Sequence, residues 1–380
     1  MKNKILLISP DYPPPFIGGS LVYMHTLIEE SQINISIMTD LKNRVNTEKI
    51  RYLESKYITN SSNPSTLNLI VMYFFIFIKI PKIINHEIVI LNISSIGNGF
   101  YAYFLKKLGL KVVIMAYAEE ISISLNKKGI RGIIKRIFMK GYTQANMIVS
   151  VSNFAKNMLI TKIGIKNPIK VIPTPLHSSK QNTEDYNYSK KLDKNFGIIS
   201  VGRLIKRKGF IYLLKTIKKT VGVNDNLKLT IIGDGPEYKS IINYIRSNSL
   251  EQYVDIFRNV SDEFLVNAYK SNDIFILANL MLDNGDCEGA PNVLIEAASY
   301  GLPSIAGIEG GTSDVVDDNS TGFLIDPRDT DLMCNKILEL MNNASKLDIM
   351  SKNSIYKAKF QHSKELAGKK FAEYIEMLQL

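Results

Sequence analysis

Short runs of aliphatic and β-branched residues recur along the chain and alternate with longer segments of helical periodicity. Such runs are typical of buried strands in a parallel sheet, because helices cover both faces of that sheet. In the first half we predict strands over 4–10, 86–94, 111–117, 147–152 and 170–175. In the second half we predict strands over 196–204, 227–235, 254–258, 273–279 and 303–307. Segments of helix length lie between them, for example 99–108 and 130–141.

A polar segment separates the two series of strands. Residues 177–195 contain almost no aliphatic side chains, which is typical of a linker. Two consecutive βα series joined in this way predict an α/β protein with two doubly wound domains that face each other. We therefore place an N-terminal domain at 1–176 and a C-terminal domain at 196–363.

Composition agrees with two ordinary domains and adds a charge asymmetry. The 380 residues are 45% hydrophobic, which is enough for about two full-sized cores. Two cysteines, Cys287 and Cys334, exclude a disulfide framework and favour a reducing, cytoplasmic compartment. Residues 1–190 carry 24 lysines and arginines against 11 acids, whereas the remainder carries 23 against 25. The basic first half predicts a polyanionic partner.

Two apolar segments of the first half bear on membranes. The run at 69–84 is interrupted by Lys79 and Pro81 and is shorter than the ~20 residues that span a bilayer. We expect a buried helix there, or else an interfacial segment, and no transmembrane helix. The segment 126–142 carries isoleucines on one helical face and basic residues elsewhere.

Two interpretations of the segment 126–142 remain open. Its isoleucine face could pack on the sheet of its own domain and leave a solvated basic face. Alternatively, the helix could contact an anionic membrane or a lipid-diphosphate acceptor. Nucleic acid is disfavoured as a partner, because basic and aromatic residues are not interleaved and no known reader motif occurs.

Basic residues follow the first strand of the second series. "GIISVGRLIKRKGF" places Gly202 and Arg203 at the end of a strand, with Lys208 just ahead of the next helix. Phosphate groups bind at such an edge, where a helix begins. The alternative is a solvated basic turn, which we expect for Lys206 and Arg207. The later turn "IIGDGPE", which contains Gly233, lacks the third glycine of a dinucleotide-binding fingerprint.

Two glutamates flank the start of a predicted helix in "GDCEGAPNVLIEAASYGLPSIAG". Pro291 suits a first helical turn and Gly301 a C-terminal cap, so we predict a helix over 291–300. Its free amides, from Asn292 and Val293 onward, would form a positive end. Glu288 precedes the helix and Glu296 lies more than a turn inside it. Both carboxylates could therefore bind hydroxyl groups of one elongated ligand, such as a sugar and a ribose.

The second half resembles the retaining GT-B glycosyltransferases of family 4. The stretches that carry this resemblance are "VGRLIKRKGF", "IIGDGPE", "EGAPNVLIEAASYGLPSIA", "GGTSDVV" and "TGFLIDP", in the order and spacing of that family. The resemblance implies that Arg203 and Lys208 bind the diphosphate of a sugar nucleotide. It implies that Glu288 binds the sugar and Glu296 the ribose. Further donor-binding positions would be Gly202, Gly233, Ala290, Pro291, Asn292 and Val293.

The first half resembles the same family over fewer residues. "DYPPPFIGGSLVYMHTL" is similar to a family loop whose paired glycines, here Gly18 and Gly19, lie near the donor phosphates. Family members commonly have His-Gly-x-Glu where this chain has Tyr117-Ala118-Glu119-Glu120, so Tyr117 and Glu119 are expected near the sugar or the acceptor. The family's terminal helix, here about 364–380, completes the first domain.

The resemblance implies a sugar transferase with the GT-B fold, in which two Rossmann-like domains face each other across a cleft. We expect a UDP-hexose or UDP-N-acetylhexosamine donor, with GDP-mannose as the alternative, and transfer to a glycan or lipid-linked acceptor in bacterial cell-surface polysaccharide synthesis. No cofactor and no metal are expected. The enzyme would be cytoplasmic, with peripheral contact to the plasma membrane. The alternatives are a catalytically weak binding subunit of an active transferase and a sugar-nucleotide epimerase.

Overall fold

The structure is a computed structural model that describes residues 4–10, 12, 19–39, 49–53, 74, 76–176 and 195–379. The chain divides into two compact units. Met1–Pro175 and Lys364–Leu380 form the N-terminal unit, and Leu176–Ser363 forms the C-terminal unit. Gly18 and all of the predicted linker except Asn195 lie outside the described residues.

The N-terminal unit is built on a parallel sheet. Its strand order is β3-β2-β1-β4-β5-β6-β7, and Leu7 of β1 pairs with Ile37 on one side and Ile90 on the other. The strands are β1 (Ile5–Ile8), β2 (Ile35–Met38), β3 (Ile50–Leu53), β4 (Ile88–Leu91), β5 (Lys111–Ala116), β6 (Met147–Ser150) and β7 (Ile169–Val171). Its described helices are α1 (Gly19–Ser31), α2 (Ile80–Ile83), α3 (Ser95–Lys107), α4 (Ala118–Asn126), α5 (Gly129–Met139), α6 (Asn153–Met158) and the last helix, α13 (Lys364–Glu376).

The C-terminal unit repeats this architecture with a second parallel sheet, of order β10-β9-β8-β11-β12-β13. The strands are β8 (Phe196–Val201), β9 (Leu227–Ile232), β10 (Val254–Phe257), β11 (Ile274–Leu277), β12 (Ser304–Gly307) and β13 (Gly322–Ile325). The helices are α7 (Phe210–Val221), α8 (Tyr238–Ser247), α9 (Asp262–Ser271), α10 (Asn292–Ser299), α11 (Thr330–Asn342) and α12 (Ala344–Gln361). Strand order reverses between β8 and β11.

Each sheet separates two hydrophobic layers, because successive strand residues point to opposite faces. In β1, for example, Leu6 and Ile8 belong to one buried cluster and Ile5 and Leu7 to the other. Helix α13 joins the layer of Ile5 and Leu7 through its buried Phe371. These fully covered sheets explain why nearly continuous aliphatic runs predict the strands.

Helix α13 packs closely on α1 within the N-terminal unit. Gly368 permits this approach, since a Cβ atom there would lie 2.4 Å from the backbone carbon of Glu30. Lys364 adds an ion pair of 3.0 Å to the Glu30 carboxylate. The last helix is therefore part of the first unit's core, although it follows the second unit in the chain.

The predicted α/β fold class is confirmed, with corrections to individual elements. All ten predicted strands overlap an observed strand, whereas β2, β3 and β13, of four residues each, were not predicted. Strand β7 was predicted to be buried, but it is half-buried, because it lies at the edge of its sheet. Helix α10 begins one residue later and ends one residue earlier than predicted.

Part of the apolar run at 69–84 lies outside the described residues. Within the described part, Ile76 and Ile83 are buried, but Phe77 and Ile78 are exposed. Ile76, Phe77 and Ile78 are helical, as predicted, and the single turn α2 follows them. The prediction of burial is therefore wrong for Phe77 and Ile78. Among the residues that the structure describes, no helix is long and apolar enough to cross a membrane.

Candidate functional site

The reversal of strand order in the C-terminal unit creates a crevice at the carboxyl ends of β8 and β11. In doubly wound sheets, ligands bind at such a reversal, since the loops that follow the two strands diverge there. Gly202 and Arg203 follow β8 directly, and Asn279 follows β11 by two residues. The residues predicted from the second half of the sequence come from the loops at this edge and from helix α10.

Lys208 is buried at the end of a 3₁₀ turn, Lys206–Lys208, between β8 and α7. Its ammonium lies 3.0 Å from Oε1 of Glu288. A Cβ atom on Gly202 would lie 3.4 Å from Lys208 Cε and 3.7 Å from its Nζ, so the lysine runs directly over the glycine backbone. The structure thus brings Gly202, Lys208 and Glu288 together. Arg203 is exposed beside them.

Arg207 corrects the prediction of a solvated basic turn. Its Nε donates to Oε1 of Glu288 at 2.8 Å, and its Nη1 donates to Oδ1 of Asp286 at 2.8 Å. A 3₁₀ turn has about three residues per turn, so its consecutive side chains point in different directions. Lys206 is exposed as predicted, while Arg207 and Lys208 converge on the Glu288 loop.

Glu288 is a buried carboxylate with two cationic partners. Burial alone would raise its pKa, but the charges of Lys208 and Arg207 and their hydrogen bonds outweigh burial and hold the pKa below its usual range. Both cations contact Oε1. Within the described part of the chain, Oε2 accepts no hydrogen bond. The Glu288 carboxylate is therefore ionised, and the contacts of its Oε1 hold it in place.

The loop that carries Glu288 is fixed by the Gly310–Gly311 turn. The Gly311 amide donates to the Glu288 carbonyl at 2.8 Å, and a Cβ atom on Gly311 would lie 1.6 Å from the Gly289 carbonyl oxygen. The buried Asn279 in turn donates to the Glu309 carbonyl at 3.1 Å and to Thr312 Oγ1 at 3.0 Å. Glycine is thus required at 311 because the backbone of Gly289 packs too closely for a side chain.

Helix α10 points its N-terminus at this site. Pro291 is the residue before its first turn, and no side chain caps the helix. The amides of Asn292 and Val293 form no hydrogen bond with any residue that the structure describes. Unpaired amides and the helix dipole make this end favourable for oxygen atoms that carry negative charge.

Glu296 lies one turn further into α10 and is buried. The hydroxyl of Tyr269, on α9, donates to its Oε2 at 3.1 Å. The Tyr269 ring is stacked on Tyr300, with centroids 5.3 Å apart and an angle of 9°. Burial and the neighbouring charge of Glu296 raise the pKa of Tyr269, so the tyrosine remains a hydrogen-bond donor. Sequence analysis did not select Tyr269.

The family resemblance implies that Glu296 binds the ribose, so we predict that Tyr269→Phe weakens the binding of a sugar nucleotide. The substitution keeps the stacked ring but removes the donor that orients the Glu296 carboxylate. We expect a loss of UDP affinity of about threefold to tenfold, corresponding to one hydrogen bond. Isothermal titration calorimetry checks this value. Tyr212→Phe, on α7, is the matched control and should leave the affinity unchanged.

The turn after β9 packs beside the turn after β8. A Cβ atom on Gly233 would lie 1.9 Å from the Gly202 carbonyl oxygen, and the amide of Leu204 donates to the Asp234 carbonyl at 2.9 Å. Asp234 also forms an exposed ion pair of 2.7 Å with Arg258. The glycine at 233 therefore has a structural role, as a spacer between two strand ends at the candidate site.

Tyr117 belongs to a smaller cluster of residues in the N-terminal unit. It precedes α4 at the end of β5, and its hydroxyl donates to the carbonyl of Ser20, in the first turn of α1, at 3.4 Å. Its ring meets Tyr23 edge-on at 6.2 Å. Burial, followed by the charge of Glu120, raises the pKa of Tyr117. Tyr117 and Gly19, the first residue of α1, thus lie together at the carboxyl edge of this sheet.

Glu119 and Glu120, in the first turn of α4, differ in environment. Glu119 is exposed and Glu120 is half-buried. Burial and the charge of Glu119 raise the pKa of Glu120 to about 7, although Lys135 on α5 opposes the shift. The carboxyl group that changes charge near neutral pH is therefore Glu120, which sequence analysis did not select.

We predict that Glu120→Gln removes a loss of stability that occurs as pH rises from about 4.5 to about 7. An acid whose pKa is raised in the folded state stabilises most below its unfolded pKa of about 4.5, and this stability is lost as pH rises through about 7. The variant should gain ~2 kcal/mol relative to wild type between pH 5 and pH 8. Urea unfolding at both pH values measures the difference, with the exposed Glu29→Gln as control.

No group of three or more histidine, cysteine or acidic residues that could hold a metal ion occurs among the described residues. His25 instead forms a hydrogen bond of 3.0 Å with the hydroxyl of Tyr12. Both cysteines are buried, and neither forms a disulfide. The polar groups that converge on the C-terminal site are thus cations, carboxylates and helix amides.

Comparison with known proteins relates the C-terminal unit to a family of enzymes. Residues 182–357 match the family model described as glycosyl transferases group 1. The C-terminal unit belongs to this family. The matched range contains the Lys208 turn, the Glu288 loop and all of α10, so the glycosyltransferase family and the charged site occupy the same unit.

The relative and the solved structures described next cover most of the chain, at low sequence identity. The capsular polysaccharide biosynthesis glycosyltransferase CapM of Staphylococcus aureus is 26% identical over 324 residues, which cover 84% of this chain and 76% of CapM. Sucrose-phosphate synthase from Thermosynechococcus elongatus superposes with a TM-score of 0.78 at 16% identity, over 99% of this chain and 98% of that one. HepE from Anabaena, in complex with UDP, superposes with a TM-score of 0.75 at 15% identity, over 98% of this chain and 100% of HepE. These structural similarities confirm the GT-B fold.

Proposed function

We propose that this group 1 glycosyltransferase transfers a hexose or an N-acetylhexosamine from a nucleotide diphosphate sugar to a glycan or lipid-linked acceptor. The observation that carries the proposal is the contact of Lys208 and Arg207 with Glu288 at the open N-terminus of α10. This arrangement offers positive groups for a diphosphate and a fixed carboxylate for the hydroxyl groups of a sugar, within one crevice.

The diphosphate would bind between Lys208 and the amides of Asn292 and Val293. Arg203, which is exposed at the same strand end, would supply a second cation. Lys208 would then share its charge between the diphosphate and Glu288, while Arg207 keeps the carboxylate in place. The unoccupied Oε2 of Glu288 would accept sugar hydroxyls, and Glu296 would accept those of the ribose.

We propose transfer with retention of configuration. The bond between the anomeric carbon and the diphosphate oxygen breaks, and the acceptor oxygen attacks the anomeric carbon from the same face. The acceptor proton passes to the departing phosphate oxygen. Lys208, Arg203 and the amides of α10 stabilise the negative charge that develops on the diphosphate, a contribution that does not require a side-chain nucleophile or a metal ion.

A UDP-sugar is the favoured donor, and GDP-mannose is the alternative. Support for UDP comes from the similarity to HepE, whose structures include complexes with UDP and UDP-glucose. Similarity to CapM supports a role in bacterial cell-surface polysaccharide synthesis. Two cysteines that form no disulfide agree with a cytoplasmic reaction. Tyr117 and Glu119 are proposed to contact the sugar or the acceptor, and Gly19 the donor phosphates; Gly18 lies outside the described residues.

A panel of sugar nucleotides tests this proposal in two steps. Thermal stabilisation by UDP-, GDP- and dTDP-sugars identifies the donor, because a ligand that binds the folded state raises the melting temperature. Labelled donor is then incubated with a bacterial lipid extract as the source of acceptor. Labelled lipid or glycan supports transfer. Donor binding without turnover would indicate a binding subunit, and a changed sugar nucleotide without acceptor would indicate an epimerase.

A further inference from the structure

Helix α5 exposes four isoleucines in the N-terminal unit. Ile130, Ile133, Ile134 and Ile137 are 74%, 52%, 42% and 59% exposed. Their spacing of three, four and seven residues places them in one stripe along the helix. The interpretation in which this face packs on the sheet of its own unit is therefore wrong. A continuous apolar face of this kind on a folded unit indicates a binding surface.

The opposite face of α5 is packed, so the helix cannot simply turn its isoleucines inward. A Cβ atom on Gly99 of α3 would lie 1.8 Å from the Phe138 carbonyl oxygen, and one on Gly141 would lie 2.1 Å from the Gly99 carbonyl oxygen. Met139 is fully buried in the core. Arg136 also ties α5 to the end of α4, through hydrogen bonds to the carbonyls of Leu125 and Lys127 at 3.3 and 3.2 Å.

The apolar surface continues from α5 onto α3. Phe100 of α3 meets Phe138 of α5 edge-on, with ring centroids 6.0 Å apart. Phe100 and Tyr103 are exposed, and together with Ile137 and Phe138 they line a shallow cavity of about 400 Å³. The surface therefore spans two helices and ends in aromatic side chains, which are favoured at the interface of a bilayer.

Positive charges surround this surface. Lys127, Lys128, Arg136 and Lys140 are exposed on α5 or at its ends. The segment 126–142 contains no aspartate or glutamate. Lys106 and Lys107, also exposed, extend the positive charge along the end of α3. An apolar stripe bordered by cations is complementary to anionic lipid. The acyl chains match the apolar stripe, and the anionic headgroups match the cations.

We propose that the α5 surface, defined as Ile130, Ile133, Ile134, Ile137, Phe100 and Tyr103, docks on a bilayer that contains anionic phospholipid. The isoleucines and Phe100 enter the boundary between headgroups and acyl chains, and the lysines contact lipid phosphates. A protein partner is less well matched, because protein interfaces are depleted in lysine. This inference uses only the N-terminal unit and does not depend on the identity of the donor sugar.

Sedimentation with vesicles of phosphatidylglycerol and phosphatidylcholine measures the docking. We expect the wild-type chain to bind vesicles that contain phosphatidylglycerol and to be released by salt, which screens the lysine contacts. Ile133→Ser/Ile137→Ser should reduce the partition coefficient by at least about tenfold, because it removes two apolar anchors. Ile349→Ser is the matched control, since Ile349 is 56% exposed on α12 of the other unit.

A single tryptophan gives an independent measurement, because the chain contains none. In Ile133→Trp, addition of phosphatidylglycerol vesicles should shift the emission to shorter wavelength, and lipids brominated on their acyl chains should quench it. In Ile349→Trp, the emission should not change. Folding and donor binding are checked by the thermal shift with the donor, which none of these substitutions should alter.

Three results would overturn the inference. One is equal binding to vesicles with and without phosphatidylglycerol, and another is no binding to either. The third is self-association in the absence of lipid that Ile133→Ser/Ile137→Ser abolishes, since the surface would then contact a second copy of the chain. Analytical ultracentrifugation of wild type and variant distinguishes this last case.

Discussion

Replacing Glu288 by glutamine should reduce sugar transfer by ~10²–10³-fold, while UDP still binds with an affinity at least equal to that of wild type. The amide preserves the size of the side chain but removes the charge that stabilises a positively charged sugar in the transition state. Lys208 and Arg207 lose their shared anionic partner and become more available to the diphosphate. Measurement of kcat and of UDP affinity separates the two effects.

The same substitution should also destabilise the chain in the absence of ligand. Lys208 would remain buried without its carboxylate partner, which costs ~2–4 kcal/mol when a buried ion pair is broken. UDP carries negative charge into the site, so its stabilising effect should be larger for the variant than for wild type. Glu339→Gln is the control. Glu339 also binds two lysines, Lys336 and Lys346, but it lies on α11 and is not part of the candidate site. Full transfer activity in Glu288→Gln would contradict the proposed role.

Replacing Lys208 by alanine should weaken UDP binding by ~10–100-fold and reduce kcat by a further ~10²-fold. The lysine lies over Gly202 and contacts Glu288, and its charge is expected to interact with the diphosphate both before and after the sugar departs. A contact that strengthens as negative charge develops lowers the barrier as well as the dissociation constant. Calorimetry with UDP and initial rates with saturating donor measure the two quantities.

Lys206→Ala provides the matched control for Lys208→Ala. Both lysines belong to the same 3₁₀ turn, but Lys206 is exposed while Lys208 is buried beside Glu288. The control variant should bind UDP and transfer sugar within about twofold of wild type, because an exposed charge is screened by solvent. If the two variants lost affinity equally, general charge rather than the geometry of the site would be responsible.

Prolines and glycines in the sequence predict those parts of the site whose geometry is set by neighbouring residues in the chain. Pro291 and Gly301 predict α10 within one residue at either end, because helix caps are set by neighbouring residues. Strand ends followed by glycine predict the position of Gly202 and Gly233. Strands β2, β3 and β13 were missed, because Ser36 and Arg51 interrupt the apolar residues of β2 and β3, and β13 begins with Gly322. Such short, interrupted runs do not distinguish a strand from a short helical segment.

Contacts between distant residues could not be predicted in this way. Nothing near Tyr269 indicates that its hydroxyl reaches Glu296, 27 residues later in the chain. The sequence of the basic turn at 206–208 shows that Arg207 is charged, but it does not predict that the side chain points toward Glu288. The period of α5 predicts an isoleucine stripe, yet it does not specify whether the stripe faces the sheet or solvent. In each case, the outcome depends on packing between elements.

The central claim is that a nucleotide diphosphate binds at the mouth of α10, between Lys208 and the amides of Asn292 and Val293. A crystal structure of the chain with UDP tests this claim most directly. The account predicts diphosphate oxygens within about 3 Å of Lys208 Nζ and of these amides, which is the range of a charge-assisted hydrogen bond. A diphosphate bound elsewhere, with the Lys208–Glu288 contact unchanged and the amides of α10 facing solvent, would contradict the account.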